Sequence, residues 1–340
     1  MDILICKERL LQTRVLAIAI VLLGRAINLR YAMCHNRFFC AHQMFNDYAD
    51  KQYALYHSAR EELIKNPQRL IELEKFVAHS LSQFVQASIG AIESDYNEAT
   101  YTHPFWKNYP PEDRGRAPKH DQYPWIEVGE QTIGPKLTRY FDSHFETRDA
   151  GLPSGSDFRV IIKHEQLKAI LGFTDSAWIF VDIKSVGPRD KADHAVMSPY
   201  QISGNGNWLE IESGVENTPV VAQGKLREHK FYSSLAPLYV LSDETIVPLV
   251  TCIVKPVYRM ETSSDKSQGG QPLEEITTAI IPNGLLLSEN PCYLEQHPGL
   301  FFPGKDDKSK DERKMRARVS FNLLKKIDPW RVQTFKLDGK

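Results

Sequence analysis

Cysteine is scarce in this chain and unevenly placed. Of five cysteines in 340 residues, Cys6, Cys34 and Cys40 lie near the start, and only Cys252 and Cys292 occur in the rest of the chain. Small secreted domains that depend on disulfides use cysteine far more densely. The sequence therefore excludes a disulfide framework, and we expect a reducing, cytoplasmic location.

The chain also lacks an excess of either charge, since its formal net charge is -1. With 42% hydrophobic and 25% charged residues, the composition is that of an ordinary globular protein of one elaborate domain or two smaller ones. The charge is unevenly distributed, however, because Lys305–Lys340 holds twelve Lys and Arg against six Asp and Glu. A basic segment on an acidic body can bind nucleic acid through that one surface.

No phosphate-binding G-x4-G-K-[ST] motif and no internal repeat occur. One continuous apolar run, Val15–Leu23, follows several basic residues, but it is far shorter than the ~20 residues that span a membrane. It is compatible with a secretory signal, a buried amphipathic helix, or translation from a start codon upstream of the natural one. We favour the third interpretation, with Met33 or Met44 as the natural start.

The periodicity of apolar residues predicts a mixture of helices and strands. A helix is expected from Asn66-Pro67 to about Ile92, and a second over Pro135–Phe145. From Asp157 onward, strand-forming residues dominate. The predicted strands are Phe158–Ile162, Trp178–Ile183, Leu238–Leu241 and Leu249–Val254. The mixture predicts an α/β layer fold around one sheet.

One predicted strand combines an apolar face with a charged one. Side chains alternate across a strand, so Asp182 and Lys184 share one face while Ile179, Val181 and Ile183 share the other. The apolar face suits a core. On the opposite face, the carboxylate and the ammonium offset each other's cost of partial burial.

A further carboxylate, Asp157, precedes Asp182 by a gap of 24 residues. An Asp followed at such a distance by Asp-x-Lys is the arrangement of the PD-(D/E)-x-K nucleases. There two carboxylates hold Mg²⁺ through oxygen atoms, and the lysine positions or deprotonates the attacking water. Two features leave the interpretation open on these residues alone: Ser156 stands where the pattern has proline, and Asp175 is a competing first carboxylate. An exposed, salt-bridged strand would also carry Asp182 and Lys184.

Longer stretches carry a resemblance that covers the chain from about Met44 to near its C-terminus. The stretches are Ala99–Pro111, Pro124–Glu130, Gly172–Ser176, Phe180–Asp190, Ser203–Trp208, Pro237–Asp243, Pro282–Leu285 and Pro303–Asp307. In these the chain resembles the BglI-like type II restriction endonucleases of the PD-(D/E)-x-K superfamily. The resemblance implies a restriction-endonuclease-like mixed β-sheet flanked by helices. It also implies a single endonuclease domain over residues 44–340, preceded by an extension of residues 1–43.

The resemblance further implies an active site and a cofactor. Asp157, Asp182 and Lys184 take the catalytic positions, and Glu130 matches a further acidic position. Asp157 and Asp182 would bind Mg²⁺. Two observations leave Glu130 open: Glu127 is a nearby alternative, and a carboxylate just ahead of a helix is often only a cap.

The target that the resemblance implies is double-stranded DNA with an interrupted GC-rich palindrome, GCC and GGC half-sites around an unread spacer. Reading G·C pairs needs Arg or Lys on guanine and a carboxylate on cytosine. Lys305, Asp307, Arg316, Arg318 and Asp190 supply that mixture, although such a charged run is otherwise typical of a solvated loop. A palindrome implies a homodimer, and a cognate DNA methyltransferase is the expected partner system.

Three other functions compete with this one. A repair nuclease with the same metal site would cut by DNA structure or damage. A catalytically inactive DNA-binding protein would keep only the recognition surface, although it would not need clustered metal ligands. An exported or membrane protein depends only on Val15–Leu23.

Overall fold

The computed structural model describes eight stretches of the chain. They are residues 46–101, 126–149, 156–186, 193–210, 214–223, 228–258, 272–304 and 315–337. The chain divides into two compact units, Met1–Ala54 and Leu55–Lys340. In the first unit the described residues, 46–54, are helical. Val15–Leu23, Met33 and Met44 lie outside the described residues. None of the described helices is long and apolar enough to cross a lipid bilayer.

Seven of the described strands form the main sheet. They are β1 (Glu146–Asp149), β2 (Phe158–Lys163), β3 (Ser176–Ile183), β9 (Leu238–Val240), β10 (Ile246–Tyr258), β11 (Leu273–Ile281) and β14 (Val332–Lys336). Their spatial order is β1-β2-β3-β10-β11-β14, with β9 paired to β10. The sheet is mixed, because β3 and β10 run parallel while the other pairs are antiparallel.

The remaining described strands form smaller sheets. They are β4 (His194–Met197), β5 (Asn207–Glu210), β6 (Gly214–Glu216), β7 (Val220–Gln223), β8 (Glu228–Phe231), β12 (Phe301–Pro303) and β13 (Ala317–Ser320). The three-stranded sheet has the order β12-β13-β4, and the two hairpins are β5-β6 and β7-β8.

Helices lie on both sides of the main sheet. They are α1 (46–65), α2 (Gln68–Tyr101), α3 (Ile126–His144), α4 (Glu165–Leu171), α5 (Gly284–Ser288), α6 (Tyr293–Gln296) and α7 (Phe321–Ile327). Short 3-10 turns follow β4 and α7, at Pro199–Gln201 and Pro329–Arg331. The predicted α/β architecture with a mixed sheet flanked by helices is confirmed.

The strand β3 has its two faces in two different cores. Ile179, Val181 and Ile183 belong to the large core that also contains the buried side of α2, as predicted. Trp178 and Phe180 point the other way, into a smaller apolar cluster. Every residue of β3 is buried, which explains why its sequence is almost continuously apolar, β-branched or aromatic.

Two helix predictions differ from the structure in their bounds. The helix predicted to end near Ile92 continues to Tyr101, because Tyr96 extends the buried stripe by one more turn and is 1% exposed. The helix predicted to start at Pro135 begins at Ile126, and Pro135 lies inside it. Proline is favoured in the first turn of a helix, and that preference misplaced the predicted start.

A buried ion pair joins α2 to the C-terminal part of the fold. Arg331 Nη1 lies 2.8 Å from Glu74 Oε2, and both side chains are 0% exposed. The other carboxylate oxygen of Glu74 accepts a hydrogen bond of 2.6 Å from the backbone N–H of Asn283. The Arg331 guanidinium also lies over the Trp330 ring, 4.5 Å from its centroid. Each charge is therefore compensated inside the protein.

Replacing Glu74 should destabilise the fold by leaving the buried Arg331 without its counter-charge. We expect Glu74→Gln to lower the free energy of unfolding by about 3–5 kcal/mol, because a buried guanidinium then lacks its counter-charge. The double variant Glu74→Gln/Arg331→Met should recover most of that loss, since neutral groups of similar shape replace the pair. Urea denaturation followed by circular dichroism measures both values.

The control is Glu61→Gln, which removes the exposed pair of Glu61 with Lys65 and should cost under about 0.5 kcal/mol. Equal losses for Glu74→Gln and Glu61→Gln would contradict a structural role for the buried pair.

Candidate active site

The candidate active site lies where β2 and β3 meet at the carboxyl end of β3. Asp182 is the penultimate residue of β3 and is 1% exposed. It follows Phe180 by two residues, so it lies on the face of the smaller core, opposite α2. Lys184, just beyond the strand, is 31% exposed. Its backbone N–H donates to Val254 O at 2.9 Å and continues the pairing with β10.

Each oxygen of the Asp182 carboxylate has a defined partner. Lys184 Nζ lies 2.7 Å from Oδ2, and Gln201 Nε2 donates to Oδ1 at 2.5 Å. A carboxylate buried this deeply needs such compensation, because water is excluded from it. The predicted placement of Asp182 and Lys184 on one strand face is therefore what the structure shows, and Gln201 is an additional neighbour.

Asp157 faces Asp182 across the antiparallel pair β2-β3. The register pairs Phe158 with Val181, so one further step places Asp157 opposite Asp182. Such cross-strand neighbours have Cβ atoms about 4.5–5.5 Å apart. The Asp157 side chain is exposed, and its Oδ2 accepts a hydrogen bond of 2.6 Å from the backbone N–H of Ile183.

The competing first carboxylate, Asp175, lies at the other end of the same strand. It directly precedes Ser176, the first residue of β3, and accepts a hydrogen bond of 2.9 Å from the Ser176 hydroxyl. Seven residues of extended chain separate it from Asp182, or about 23 Å at the usual rise per residue. The structure therefore favours Asp157 over Asp175 as the neighbour of Asp182.

Glu130 lies in the second turn of α3, and its side chain is outside the described part of the structure. Its neighbour Gly129 is buried against Ser185, the residue after Lys184. A Cβ at position 129 would overlap Ser185 Oγ, so only glycine allows α3 to approach this closely. The backbone of Glu130 is therefore held beside the end of β3.

A tyrosine holds Ser185 from the side of α2. Tyr96 Oη and Ser185 Oγ are 3.1 Å apart, within hydrogen-bond distance. Burial raises the pKa of the Tyr96 hydroxyl, so the phenol stays protonated near neutral pH. The chain that leaves β3 after Lys184 is thus packed between α2 and the first turns of α3.

The arrangement brings two carboxylates and one ammonium together at the carboxyl end of β3. Carboxylate oxygens are the ligands that Mg²⁺ prefers, so the donor set of Asp157 and Asp182 fits such an ion. Across the described residues, three or more His, Cys, Asp or Glu side chains do not cluster closely enough to bind a metal ion by themselves. The remaining ligands would have to be backbone carbonyls, water, a substrate phosphate or the undescribed side chain of Glu130.

The candidate base-reading residues belong to or adjoin the three-stranded sheet. Arg318 lies in the central strand β13, and Arg316 lies just before it. Lys305 and Asp307 occur in the chain between β12 and β13, and Asp190 occurs shortly before β4. These three residues lie outside the described ranges.

The two arginines differ in their surroundings. Arg318 is half-buried, its Nη1 donates to Pro303 O at 2.6 Å, and its guanidinium lies 6.0 Å from the centroid of the Phe302 ring. Arg316 is exposed, and its backbone carbonyl accepts a hydrogen bond of 2.7 Å from Gly304 N–H. Both side chains lie on the less buried side of β13, as the two-residue spacing predicts, because the intervening Ala317 is fully buried.

Sequence reasoning missed Gln201 entirely. The sequence does contain a capping-box pattern, Ser198 followed three residues later by Gln201, and the structure has this box at the turn after β4. The pattern predicts only the local turn. The contact with Asp182 depends on how β4 folds back against the main sheet, which local sequence does not report.

Comparisons with known proteins agree with this geometry. A family model described as restriction endonuclease BglI matches residues 51–335. The type II restriction enzyme BglI of Bacillus subtilis is 43% identical over 300 residues, which cover 87% of this chain and 100% of that enzyme.

Solved structures extend the likeness to three dimensions. The crystal structure of the restriction endonuclease BglI bound to its DNA recognition sequence matches with a TM-score of 0.79 and 42% identity, over 86% of this chain and 99% of the other. The crystal structure of the tetrameric restriction endonuclease SfiI bound to cognate DNA matches with a TM-score of 0.51 and 13% identity, over 79% and 85% of the two chains. The second likeness is one of fold alone.

The fold, the paired carboxylates with their lysine and the extent of the matches agree with one another. The chain belongs to the BglI family of type II restriction endonucleases, site-specific deoxyribonucleases that cut DNA at a defined sequence.

Proposed function

We propose that this enzyme hydrolyses DNA phosphodiester bonds with Mg²⁺ held between Asp157 and Asp182, and with Lys184 and Glu130 completing the catalytic set. One observation carries the proposal: Asp157 and Asp182 lie opposite each other on the paired strands β2 and β3, and Lys184 Nζ is 2.7 Å from Asp182 Oδ2. Type II restriction endonucleases generally depend on a divalent metal ion, so a metal-binding centre of this kind is required somewhere in the chain.

The protein groups have separable roles in the reaction. When bound, Mg²⁺ stabilises negative charge on the scissile phosphate and lowers the pKa of the attacking water. Asp157 is exposed and can turn towards an arriving ion, whereas Asp182 is buried and held by Lys184 and Gln201. Lys184 donates to Asp182, and an ammonium has three N–H bonds. It can therefore also donate to the attacking water or to a phosphate oxygen and add positive charge to the transition state.

We assign Glu130 to this centre as an acidic residue contributed from outside the sheet. The support is the close approach of Gly129 to Ser185, which fixes the first turns of α3 beside the end of β3. A third carboxylate from that direction would complete an oxygen-rich ligand set with Asp157 and Asp182.

For the target we propose an interrupted palindrome of GCC and GGC half-sites in double-stranded DNA. Arg316 and Arg318 are placed on the outward side of the β12-β13-β4 sheet, where they can reach guanine O6 and N7. Lys305, Asp307 and Asp190, in the segments that adjoin this sheet, would supply the remaining guanine and cytosine contacts. The DNA bound in the BglI structure supports a DNA-reading surface of this kind.

A palindromic target is read most simply by two identical subunits, one for each half-site. We therefore propose a homodimer with one active site for each strand. A host that carries such an enzyme needs its own sites protected, so a DNA methyltransferase of matching specificity is the expected partner. The enzyme would act in the cytoplasm, where the chromosome and entering DNA are found.

We further propose that residues 44–340 form the endonuclease domain and that residues 1–43 are an extension outside it. The family match over residues 51–335 supports the first part of this division.

The first experiment is digestion of a sequenced plasmid by the purified enzyme, with Mg²⁺ or with EDTA, followed by mapping of the fragment ends. We expect discrete fragments with Mg²⁺, ends within interrupted GCC/GGC sites, and no cutting in EDTA. Discrete fragments at a different sequence would reject the assigned base contacts but keep the catalytic centre. Binding without cutting would indicate an inactive DNA-binding protein, and cutting only of damaged plasmid would indicate a repair enzyme.

The catalytic pair is tested by Asp182→Asn with Asp175→Asn as its matched control. The first substitution removes a metal-binding charge from the centre, and a loss of several kcal/mol of transition-state stabilisation corresponds to about a thousandfold or more in cleavage rate. The second alters an aspartate of the same strand far from the centre and should leave the rate unchanged. Single-turnover cleavage measures both. An active Asp182→Asn enzyme would refute the assignment, as would an inactive Asp175→Asn enzyme that is still folded.

Glu130 is tested against its neighbour by the pair Glu130→Gln and Glu127→Gln. If Glu130 contributes to the metal site, its substitution should raise the Mg²⁺ concentration needed for half-maximal cleavage by about tenfold or more, since metal affinity depends on ligand charge. Glu127→Gln should leave the Mg²⁺ dependence of wild type. The reverse result would assign the acidic position to Glu127.

A further inference from the structure

One short segment connects the base-reading sheet with the catalytic centre. The linking segment, residues 194–201, comprises β4 and the 3-10 turn that follows it. At its start, the carbonyl oxygen of His194 accepts a hydrogen bond of 2.5 Å from Lys255 Nζ. At its end, Gln201 Nε2 donates to Asp182 Oδ1 at 2.5 Å. Lys255 is 2% exposed and lies on β10, the strand parallel to β3.

The orientation of the Gln201 amide follows from its two neighbours. Its Oε1 accepts a hydrogen bond of 2.8 Å from the backbone N–H of Ser198, which can only donate. The Nε2 group must therefore face Asp182, whose carboxylate accepts. The side chain is 7% exposed, so rotating the amide would leave two buried groups badly paired.

The linking segment is also part of the sheet that carries the candidate base contacts. In β4, Val196 pairs with Arg318 and Ala195 pairs with Val319 of the central strand β13. The paired Val319 and Ala195 are both nearly fully buried, so the two strands are packed together and hydrogen-bonded. A displacement of β13 when Arg318 engages DNA would be carried into β4 and to Gln201 four residues beyond it.

We propose that Gln201 is a positioning residue that couples base reading by the β12-β13-β4 sheet to the orientation of the Asp182 carboxylate. When the sheet is seated on the cognate sequence, Gln201 holds Asp182 in the orientation that cleavage requires. On an altered sequence the sheet binds the DNA in a different position. Gln201 is then displaced, and its hydrogen bond to Asp182 is weakened. This inference rests on the proposed roles of Asp182 and of the β12-β13-β4 sheet.

The coupling predicts that Gln201→Met slows cleavage of the cognate duplex more than cleavage of an altered one. This substitution keeps the length of the side chain and removes its amide. Single-turnover cleavage is measured with Mg²⁺ on the duplex that wild type cuts and on one with a single altered base pair in a half-site. We expect the cognate rate to fall about ten- to a hundredfold, the effect of losing a hydrogen bond to a charged group. The slow rate on the altered duplex should change by less than about threefold, so the ratio of the two rates should fall.

Binding in Ca²⁺, without cleavage, separates this role from a structural one. Because the amide of Gln201 bonds to Ser198 N–H and to Asp182, neither of which is a proposed base-reading residue, the affinity of Gln201→Met for the cognate duplex should stay within about threefold of wild type. A loss of affinity comparable to the loss of rate would overturn the proposal. An equal fall of the rates on both duplexes would also overturn it, since that would indicate a general contribution to catalysis.

Two further variants complete the test. Gln201→Glu keeps the acceptor for Ser198 N–H but removes the donor to Asp182, so it should lower the ratio of rates as Gln201→Met does. A wild-type ratio in Gln201→Glu would show that only the local turn matters. Gln166→Met, at an exposed glutamine, should behave as wild type. If wild type itself gives no discrete fragments, the proposed function fails, and that outcome is distinct from wild-type cutting with an unchanged ratio in both Gln201 variants.

Discussion

The near-complete burial of one carboxylate determines how the end of β3 and its neighbours are arranged. Asp182 is 1% exposed on a strand whose two faces lie in two cores. An isolated charge in such a place would be strongly destabilising or would be neutralised. Lys184 and Gln201 offset this by placing a donor on each oxygen. The strand thus fixes the position of the carboxylate, and the two donors fix its orientation.

Different elements pack against the two sides of the main sheet near Asp182. On the α2 side, the large apolar core and the buried pair of Glu74 and Arg331 brace the main sheet. On the Asp182 side, Lys255 and Phe321 connect β10 to the three-stranded sheet and α7. The proposed centre is therefore supported by the large core on one side and adjoins the proposed base-reading sheet on the other. A site-specific nuclease of this kind would need both, because the cut must be made only when the sequence has been read.

How much of this could be predicted from sequence depends on the range of the interactions. The alternation around Asp182 and Lys184 is local, and the strand, its apolar face and the shared face of these two residues followed from it. The second apolar core, which buries Trp178 and Phe180 on the Asp182 face, did not. The choice between Asp157 and Asp175 required the pairing of β2 with β3, which is set by the register of the whole sheet. Gln201 could not be found, since its contact joins residues on separate elements of the fold. The candidate base-reading residues came from family resemblance, because composition showed only that the C-terminal segment is basic.

The hairpin of β12 and β13 has a consequence for how new specificities arise. Gly304, at the base of the hairpin, donates its N–H to the carbonyl of Arg316, and a Cβ there would overlap that carbonyl. A backbone hydrogen bond therefore joins the two strands at this point, and its close approach requires glycine at position 304. Under the proposed base-reading role, substitutions at Lys305 or Asp307 would change the recognised sequence and leave this backbone contact in place. Evolution, or a protein engineer, would then alter the specificity while the hairpin that presents it is inherited unchanged.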